Sequence, residues 1–193
     1  VMSMKTGTNR IVRIAMLSAL SVLLMLLIRF PVIPAAAFLE YEPGDVPALI
    51  AAFLLGPGAG FMVTLIVSLI QAFTVSAGSG WIGAVMHLIA TGSMVMVAGY
   101  IYKKHHTFKG AVLSLIFGSL CMVLVMIPLN LFFTTRFLNV RLEAVKAMIV
   151  PIIIPFNLFK AVANSVLTVL VYKPVGKVLR MEMEPGCEVP KKA

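Results

Sequence analysis

Residues 151–172, PIIIPFNLFKAVANSVLTVLVY, decide the reading of this chain. As a helix, these 22 residues extend roughly 33 Å at about 1.5 Å per residue, enough to cross a hydrocarbon core of about 30 Å. Lys160 stands nine residues beyond Pro151, about 13 Å down the helix, too deep for its stem to carry the ammonium back to the interface. The charge needs a partner or a wet cavity. Asn157 lies three residues before it and Asn164 four after, so the three side chains fall within roughly 60° of arc on one helix face. A cation flanked by two carboxamides offers donors and acceptors to the polar edge of a small molecule. The same side chains would also serve as a polar packing network between helices.

Composition sets the class. The chain has 193 residues, 61% hydrophobic and 12% charged, with a mean hydropathy of +1.05, too apolar for a soluble domain of this length. The apolar runs are continuous and lack the period-two alternation of barrel strands, so an all-α integral membrane protein is expected. The formal charge of +9 sits in short basic groups beside apolar segments, where the positive-inside rule and anionic headgroups explain it without nucleic acid. Cys121 lies in an apolar run and Cys187 in the tail, and neither belongs to a disulfide, metal or redox pattern.

Read in order, the chain predicts one membrane domain over residues 1–180, with spans near 11–33, 45–56, 58–76, 81–102, 110–133 and 150–172, and a disordered tail at 181–193. The first apolar run resembles a signal peptide, with a small-residue pattern at Ala35 to Ala37, but it is long for a signal core and is read as a retained first helix. On it Ala15 and Ala19 form a small-xxx-small pair that allows close approach by another helix.

Pro31 and Pro34 end that helix, and the segment after them holds Glu40, Glu42 and Asp45, either a solvated loop or a lid carrying Phe38, Leu39 and Tyr41. The apolar stretch Val46 to Leu55 is too short to cross alone, so some backbone is expected to unwind at membrane depth. The Gly-Pro-Gly turn at Gly56 to Gly58 lacks the Lys and Ser/Thr of a phosphate loop. Trp81 suits an interfacial belt, and His87, one turn before Thr91, reads as a hydrogen-bonded core histidine.

Lys103 to Lys109 form a basic turn, Pro128 frees a carbonyl near Asn130, and residues 139–148 suit a short interfacial helix. Six spans put both termini on one side. That side carries Lys5, Arg10, Arg13, Lys103, Lys104, Lys109, Lys173, Lys177, Arg180, Lys191 and Lys192, eleven of the sixteen Lys and Arg residues, which makes it cytoplasmic. The polar site then opens outward.

The segment FLEYEPGDVPALIAAFLLGPGAGF, the AMLSA of the first helix and the NLFKAVAN of the last together resemble the riboflavin-binding S-components of energy-coupling-factor (ECF) transporters, over nearly the whole length. That resemblance implies a small multi-pass protein of the prokaryotic cell membrane that captures a vitamin from outside, while a transmembrane scaffold and two ATPase subunits drive its release inward. The absence of a Walker motif from this sequence fits that division of labour. The resemblance further implies that Ala15 and Ala19 meet the scaffold. It also implies that Asn157, Lys160 and Asn130 contact the flavin together with the loop residues Leu39, Glu40 and Tyr41, with Asn164 carried over most loosely. Riboflavin would be the transported ligand and not a cofactor, and its ring system would want apolar walls such as Phe38, Phe132 and Phe156.

Other readings stay open at this point. The same architecture would hold another vitamin or small heterocycle, and a ligand-free structural subunit would use the polar face as interhelical glue. A membrane enzyme would use Lys160 as base or nucleophile, but the sequence places no second titratable group beside it at catalytic spacing, unless helix packing brings His87 near.

Overall fold

The computed structural model describes residues 2–36, 38–74 and 80–181. Helix α1 (Met2–Leu27) contains the first apolar run and stops short of the expected residue 33. The reason is local: the residue before a proline avoids the α region, and Phe30–Pro31 (β1) instead pairs antiparallel with Glu40–Tyr41 (β2), Phe30 facing Tyr41. A 3₁₀ turn at Pro34–Ala36 leads back through this hairpin. Ala37, the last residue of the cleavage-like pattern, lies outside the described residues.

Helix α2 (Asp45–Leu55) has 11 residues and α3 (Pro57–Phe73) has 17, about 17 and 26 Å long. Neither matches the roughly 30 Å hydrocarbon core alone. They break at Gly56, whose φ of 99° lies in the left-handed region that favours glycine, and Pro57 then opens α3 at a position where its missing N–H costs nothing. Helix α2 is buried from Asp45 through Phe53, as a helix apolar all round must be. Its last carbonyl, on Leu55, accepts a hydrogen bond at 3.4 Å from Arg10 Nη2 of α1, a cation where the helix dipole favours one.

Helix α4 (Gly80–Lys104) and helix α5 (Phe108–Leu129) follow, the second capped by the Thr107 hydroxyl accepting from Gly110 N at 3.0 Å. Two wide π turns then interrupt the helical ladder. One, Asn130–Thr134, follows Pro128 and runs into α6 (Thr135–Phe137); the other, Ile149–Ile153, contains Pro151 and joins α7 (Leu142–Met148) to α8 (Ile154–Met181). A proline cannot donate to the turn before it, and the wider turn absorbs the break. At each break a side-chain amide binds the carbonyl four residues back: Asn130 Nδ2 donates to Met126 O and Asn157 Nδ2 to Ile153 O, both at 2.8 Å. Helix α7 occupies the expected interfacial segment, with an exposed Glu143–Lys146 pair at 3.0 Å.

Among the described residues, four stretches are long and apolar enough to cross a membrane: Gly7–Leu27, Trp81–Lys104, Phe108–Phe137 and Leu142–Tyr172. Helices α2 and α3 are the two shorter apolar helices beside them. Small residues let the bundle close. A Cβ on Gly60 would lie 2.6 Å from Val95 Cγ1 and 2.7 Å from Ala52 Cβ, so only glycine admits α2, α3 and α4 at this spacing. At one end of the bundle Phe53 stacks on Tyr102 with centroids 4.4 Å apart, and the Tyr102 and Tyr172 hydroxyls bond each other, tying α2, α4 and α8. Leu23, Leu27, Phe73, Leu124 and Leu170 face outward, as lipid-facing side chains do. Trp81 is exposed and meets Phe133 edge-on. The connection at 75–79 and residues 182–193, with Cys187 and the expected disordered tail, lie outside the described residues.

Candidate ligand-binding site

Between the hairpin and helices α3, α4, α5 and α8 lies a cavity of about 330 Å³. Phe38, Leu39 and Phe156 form an apolar wall at the hairpin end, and Met86, Met122 and Met126 supply a second, deformable one. Gln71, Thr91, Asn130, Asn157, Lys160 and Glu42 bring polar atoms to the same space. One π turn begins at Asn130 and the other ends at Ile153, one helical turn before Asn157, so a helix irregularity accompanies each amide at the cavity wall.

Lys160 has the partner its depth demanded. Its Nζ is 3.5 Å from Asp45 Oδ2 and 3.6 Å from Glu42 Oε1, with all three residues buried. Asp45 also accepts from Asn164 Nδ2 at 3.0 Å, and its other oxygen lies 2.8 Å from His87 Nε2. His87 Nδ1 lies 2.7 Å from Ser68 Oγ, and Gln71 Nε2 donates to Glu42 Oε1 at 3.1 Å. The expectation that no second titratable group stands beside the lysine is therefore corrected: two carboxylates do, and His87 is one bond further on. Asp45 opens α2 and Glu42 precedes the Pro43–Gly44 turn, so the chain carries both inward and not into a solvated loop. A signal for this existed in the sequence. Of seven Asp and Glu residues, three fall after residue 181 and Glu143 sits in a connection, leaving Glu40, Glu42 and Asp45 as candidates to neutralise an intramembrane cation.

Several polar atoms in this cavity have no protein partner. Among the described residues, Glu42 Oε2, Gln71 Oε1, Thr91 Oγ1 and Asn157 Oδ1 are buried and unpaired, and all four residues line the cavity. An orphaned buried polar group costs about 1–3 kcal/mol, so four converging on one space mark a place where a polar ligand or water completes the bonding.

Asn157, Lys160, Asn130, Leu39 and Glu40 all line the cavity. Asn130 is partly spent within the protein, since its Oδ1 accepts from Thr134 Oγ1 at 2.8 Å. Glu40 pairs with Arg29, another lining residue, at the base of the hairpin. Tyr41 and Asn164 stand behind the wall, where the Tyr41 hydroxyl donates to Asn164 Oδ1 at 3.0 Å. Burial pushes the Tyr41 pKa up, with the Asp45 carboxylate adding to the shift, which keeps that hydroxyl a donor. Phe132 is not a wall: it is half-exposed, with the Arg136 guanidinium 4.3 Å above its ring, while Phe137 lines the cavity instead. The wide turn at 130–134 rotates the aromatics after Asn130 away from a regular helical phase, which a periodicity of 3.6 does not anticipate. Gln71 and Thr91 also line the cavity, and sequence spacing does not mark them, because a lone polar side chain in an apolar helix carries no periodic signal. Ala15 and Ala19 are exposed on α1, away from the cavity.

A family model described as ECF transporter, substrate-specific component, matches residues 9–172. The riboflavin transporter RibU of Lactococcus lactis subsp. cremoris is 36% identical over 128 residues, which cover 65% of this chain and 62% of that protein. RibU of Streptococcus thermophilus is 31% identical, with 90% of this chain and 86% of that protein covered. The riboflavin transporter FmnP of Bacillus subtilis is 31% identical, with 85% and 90% covered. A solved structure of the S component of a bacterial ECF transporter superposes with a TM-score of 0.77 at 32% identity, covering 90% of this chain and 99% of that one.

Proposed function

Because this chain belongs to the family of ECF transporter substrate-specific components, we propose that it is the riboflavin-capturing subunit of an ECF-type vitamin uptake transporter and not an enzyme. The observation that carries the proposal is the set of unpaired buried acceptors, on Gln71, Thr91, Asn157 and Glu42, gathered with the Lys160 ammonium around an apolar-walled cavity of about 330 Å³. That volume falls in the lower part of the usual range for ligand pockets, roughly 300–1,000 Å³. Riboflavin presents the complement: a flat apolar ring system for Phe38, Leu39, Phe156 and the methionines, and an edge of carbonyls and nitrogens for Lys160, Asn157 and Asn130. Leu39 and Glu40 would hold it from the hairpin side. Tyr41 and Asn164 would act one layer out, by fixing Asp45 and through it the lysine.

In this reading the single domain over residues 1–180 crosses the prokaryotic cell membrane six times, the short α2 and α3 included, with both termini cytoplasmic and the cavity open to the outside. The eleven basic residues on the side of the termini support that orientation. Riboflavin is the transported ligand and no cofactor is required. Transport needs a scaffold subunit and two ATPase subunits, since this sequence has no phosphate loop. Ala15 and Ala19, exposed on α1, would form the face that meets the scaffold within the lipid bilayer.

Riboflavin titrated into the detergent-purified protein tests the proposal through quenching of the flavin's own fluorescence. Saturable quenching at one flavin per chain is expected. Absence of quenching by riboflavin, with tight binding of a different vitamin by calorimetry, would assign the same architecture to another substrate.

A further inference from the structure

The unpaired polar atoms around the cavity are mostly acceptors, and the bonds made by their neighbours fix them as such. Gln71 Nε2 donates to Glu42 Oε1 at 3.1 Å, which sets the turn of the amide and leaves Gln71 Oε1, with lone pairs only, unpaired. Asn157 Nδ2 donates to Ile153 O at 2.8 Å, and a carbonyl has no hydrogen to return, so Asn157 Oδ1 is the free atom of that amide. The Glu42 carboxylate uses Oε1 for Gln71 and faces Lys160 Nζ with it at 3.6 Å, while Glu42 Oε2 has no partner. The Thr91 hydroxyl, also unpaired, both donates and accepts. A flavin ring carries a single N–H and otherwise only acceptors. It satisfies one of these atoms, Asn157 Oδ1 on the same helix face as the lysine, and leaves the others in need of donors.

Those others come from one group of elements. Glu42 stands just before α2, Gln71 on α3 and Thr91 on α4, helices that pack against one another, and the three residues are 4, 7 and 1% exposed. The phenylalanines that line the cavity come from elsewhere: Phe38 from the hairpin, Phe137 from α6 and Phe156 from α8. Helix α4 adds Gly83 and Ala90, whose small side chains leave room beside the polar atoms. The stacking surface and the remaining acceptors therefore belong to different walls.

We infer that Glu42, Gln71 and Thr91 form a specificity-determining subsite for a neutral, hydroxylated chain attached to the ring. The inference rests on the reading of this cavity as a riboflavin site, and it assigns the place of riboflavin's sugar-alcohol chain. Each hydroxyl of that chain donates one hydrogen and keeps lone pairs to accept. Hydroxyls along the chain donate to Glu42 Oε2 and Gln71 Oε1, and another pairs with Thr91 Oγ1 in either direction. Lys160 Nζ, 3.6 Å from Glu42 Oε1, stands where chain and ring edge meet. A ligand without the hydroxyls leaves buried acceptors unpaired, and a site built to bond a hydroxyl rejects the analogue that lacks it.

Lumiflavin, which has the same ring with a methyl group in place of the chain, separates the two parts in a fluorescence titration of the detergent-purified protein. Native protein should bind riboflavin at least about tenfold more tightly than lumiflavin. Thr91→Val keeps the shape of the side chain and removes a hydroxyl that has no partner in the protein, so the ligand-free variant should unfold at or above the native temperature. Its riboflavin affinity should fall about three- to tenfold, with lumiflavin affinity within about twofold of native, and Thr91→Ser, which restores the hydroxyl, should recover riboflavin binding. Equal affinity of the native protein for the two flavins would put water and not the chain on these acceptors, overturning the inference and leaving the riboflavin reading intact. An equal loss for both flavins in Thr91→Val, no loss for either, or a loss in Thr91→Ser as large as in Thr91→Val would overturn it too. Native protein that binds neither flavin would refute the riboflavin reading itself, and the place of the chain with it.

Discussion

Replacing Lys160 with methionine keeps much of the stem volume and removes the charge. At 3.5 and 3.6 Å, and with an effective dielectric of about 20, the attractions to Asp45 and Glu42 are about 4.7 and 4.6 kcal/mol each. Desolvation offsets most of that sum while the pair is intact, but it remains as a penalty on the carboxylates once the cation is gone. Breaking a buried pair this way costs about 3–5 kcal/mol. For a chain of this length that corresponds to a fall in melting temperature of roughly 6–20 °C. The ligand loses a charge-assisted hydrogen bond as well, about 1.5–3 kcal/mol, or ten- to a hundredfold in dissociation constant.

The two losses separate in the double variant Lys160→Met with Glu42→Gln, which removes one charge of each sign. Thermal unfolding in detergent should recover most of the lost stability, whereas flavin fluorescence titration should show affinity still depressed. If Lys160→Met alone binds riboflavin as tightly as the native protein, the lysine belongs to interhelical packing and the reasoning fails. Recovery of affinity in the double variant would also defeat it, because the ligand would then be sensing the cavity's net charge and not the ammonium.

Asn157→Leu removes the unpaired Oδ1 from the cavity wall and should weaken riboflavin by about three- to tenfold in the same titration, less than Lys160→Met. Asn164→Leu strips Asp45 of one donor and Tyr41 of its acceptor behind the wall, so unfolding measurements should show a loss of about 1–3 kcal/mol with a smaller change in affinity than Lys160→Met gives. Ala15→Leu and Ala19→Leu enlarge exposed positions of α1, so titrations should stay within about twofold of native while cellular riboflavin uptake falls; lost binding with scaffold assembly intact would place these alanines in the internal packing. Thr74→Cys, at an exposed position after α3, should react with an impermeant thiol reagent from outside sealed cells, in a background lacking Cys121 and Cys187, while His105→Cys should not; the opposite pattern would invert the orientation.

The membrane class and the helical content followed from local facts: long apolar runs, no alternation, and the requirement that backbone groups in lipid be bonded within their own segment. The polar face of the last helix was legible for the same reason, since Asn157, Lys160 and Asn164 are related by helical spacing alone. Even the weakness of the second span could be read, because 11 residues between Asp45 and Leu55 cannot reach across a bilayer. What sequence spacing does not contain is which helices meet. Asp45 and Lys160 are 115 positions apart, and only the packing of α2 against α8 brings their charges to 3.5 Å. The same packing divides one helix face into two roles. Asn157 and Lys160 open on the cavity, while Asn164, two turns beyond Asn157, is covered by Tyr41 and Asp45 from other elements. Periodicity fixes the angle at which a side chain leaves its own helix. The neighbours it meets at that angle, and so whether it binds a ligand, a carboxylate or another amide, are set by the rest of the bundle.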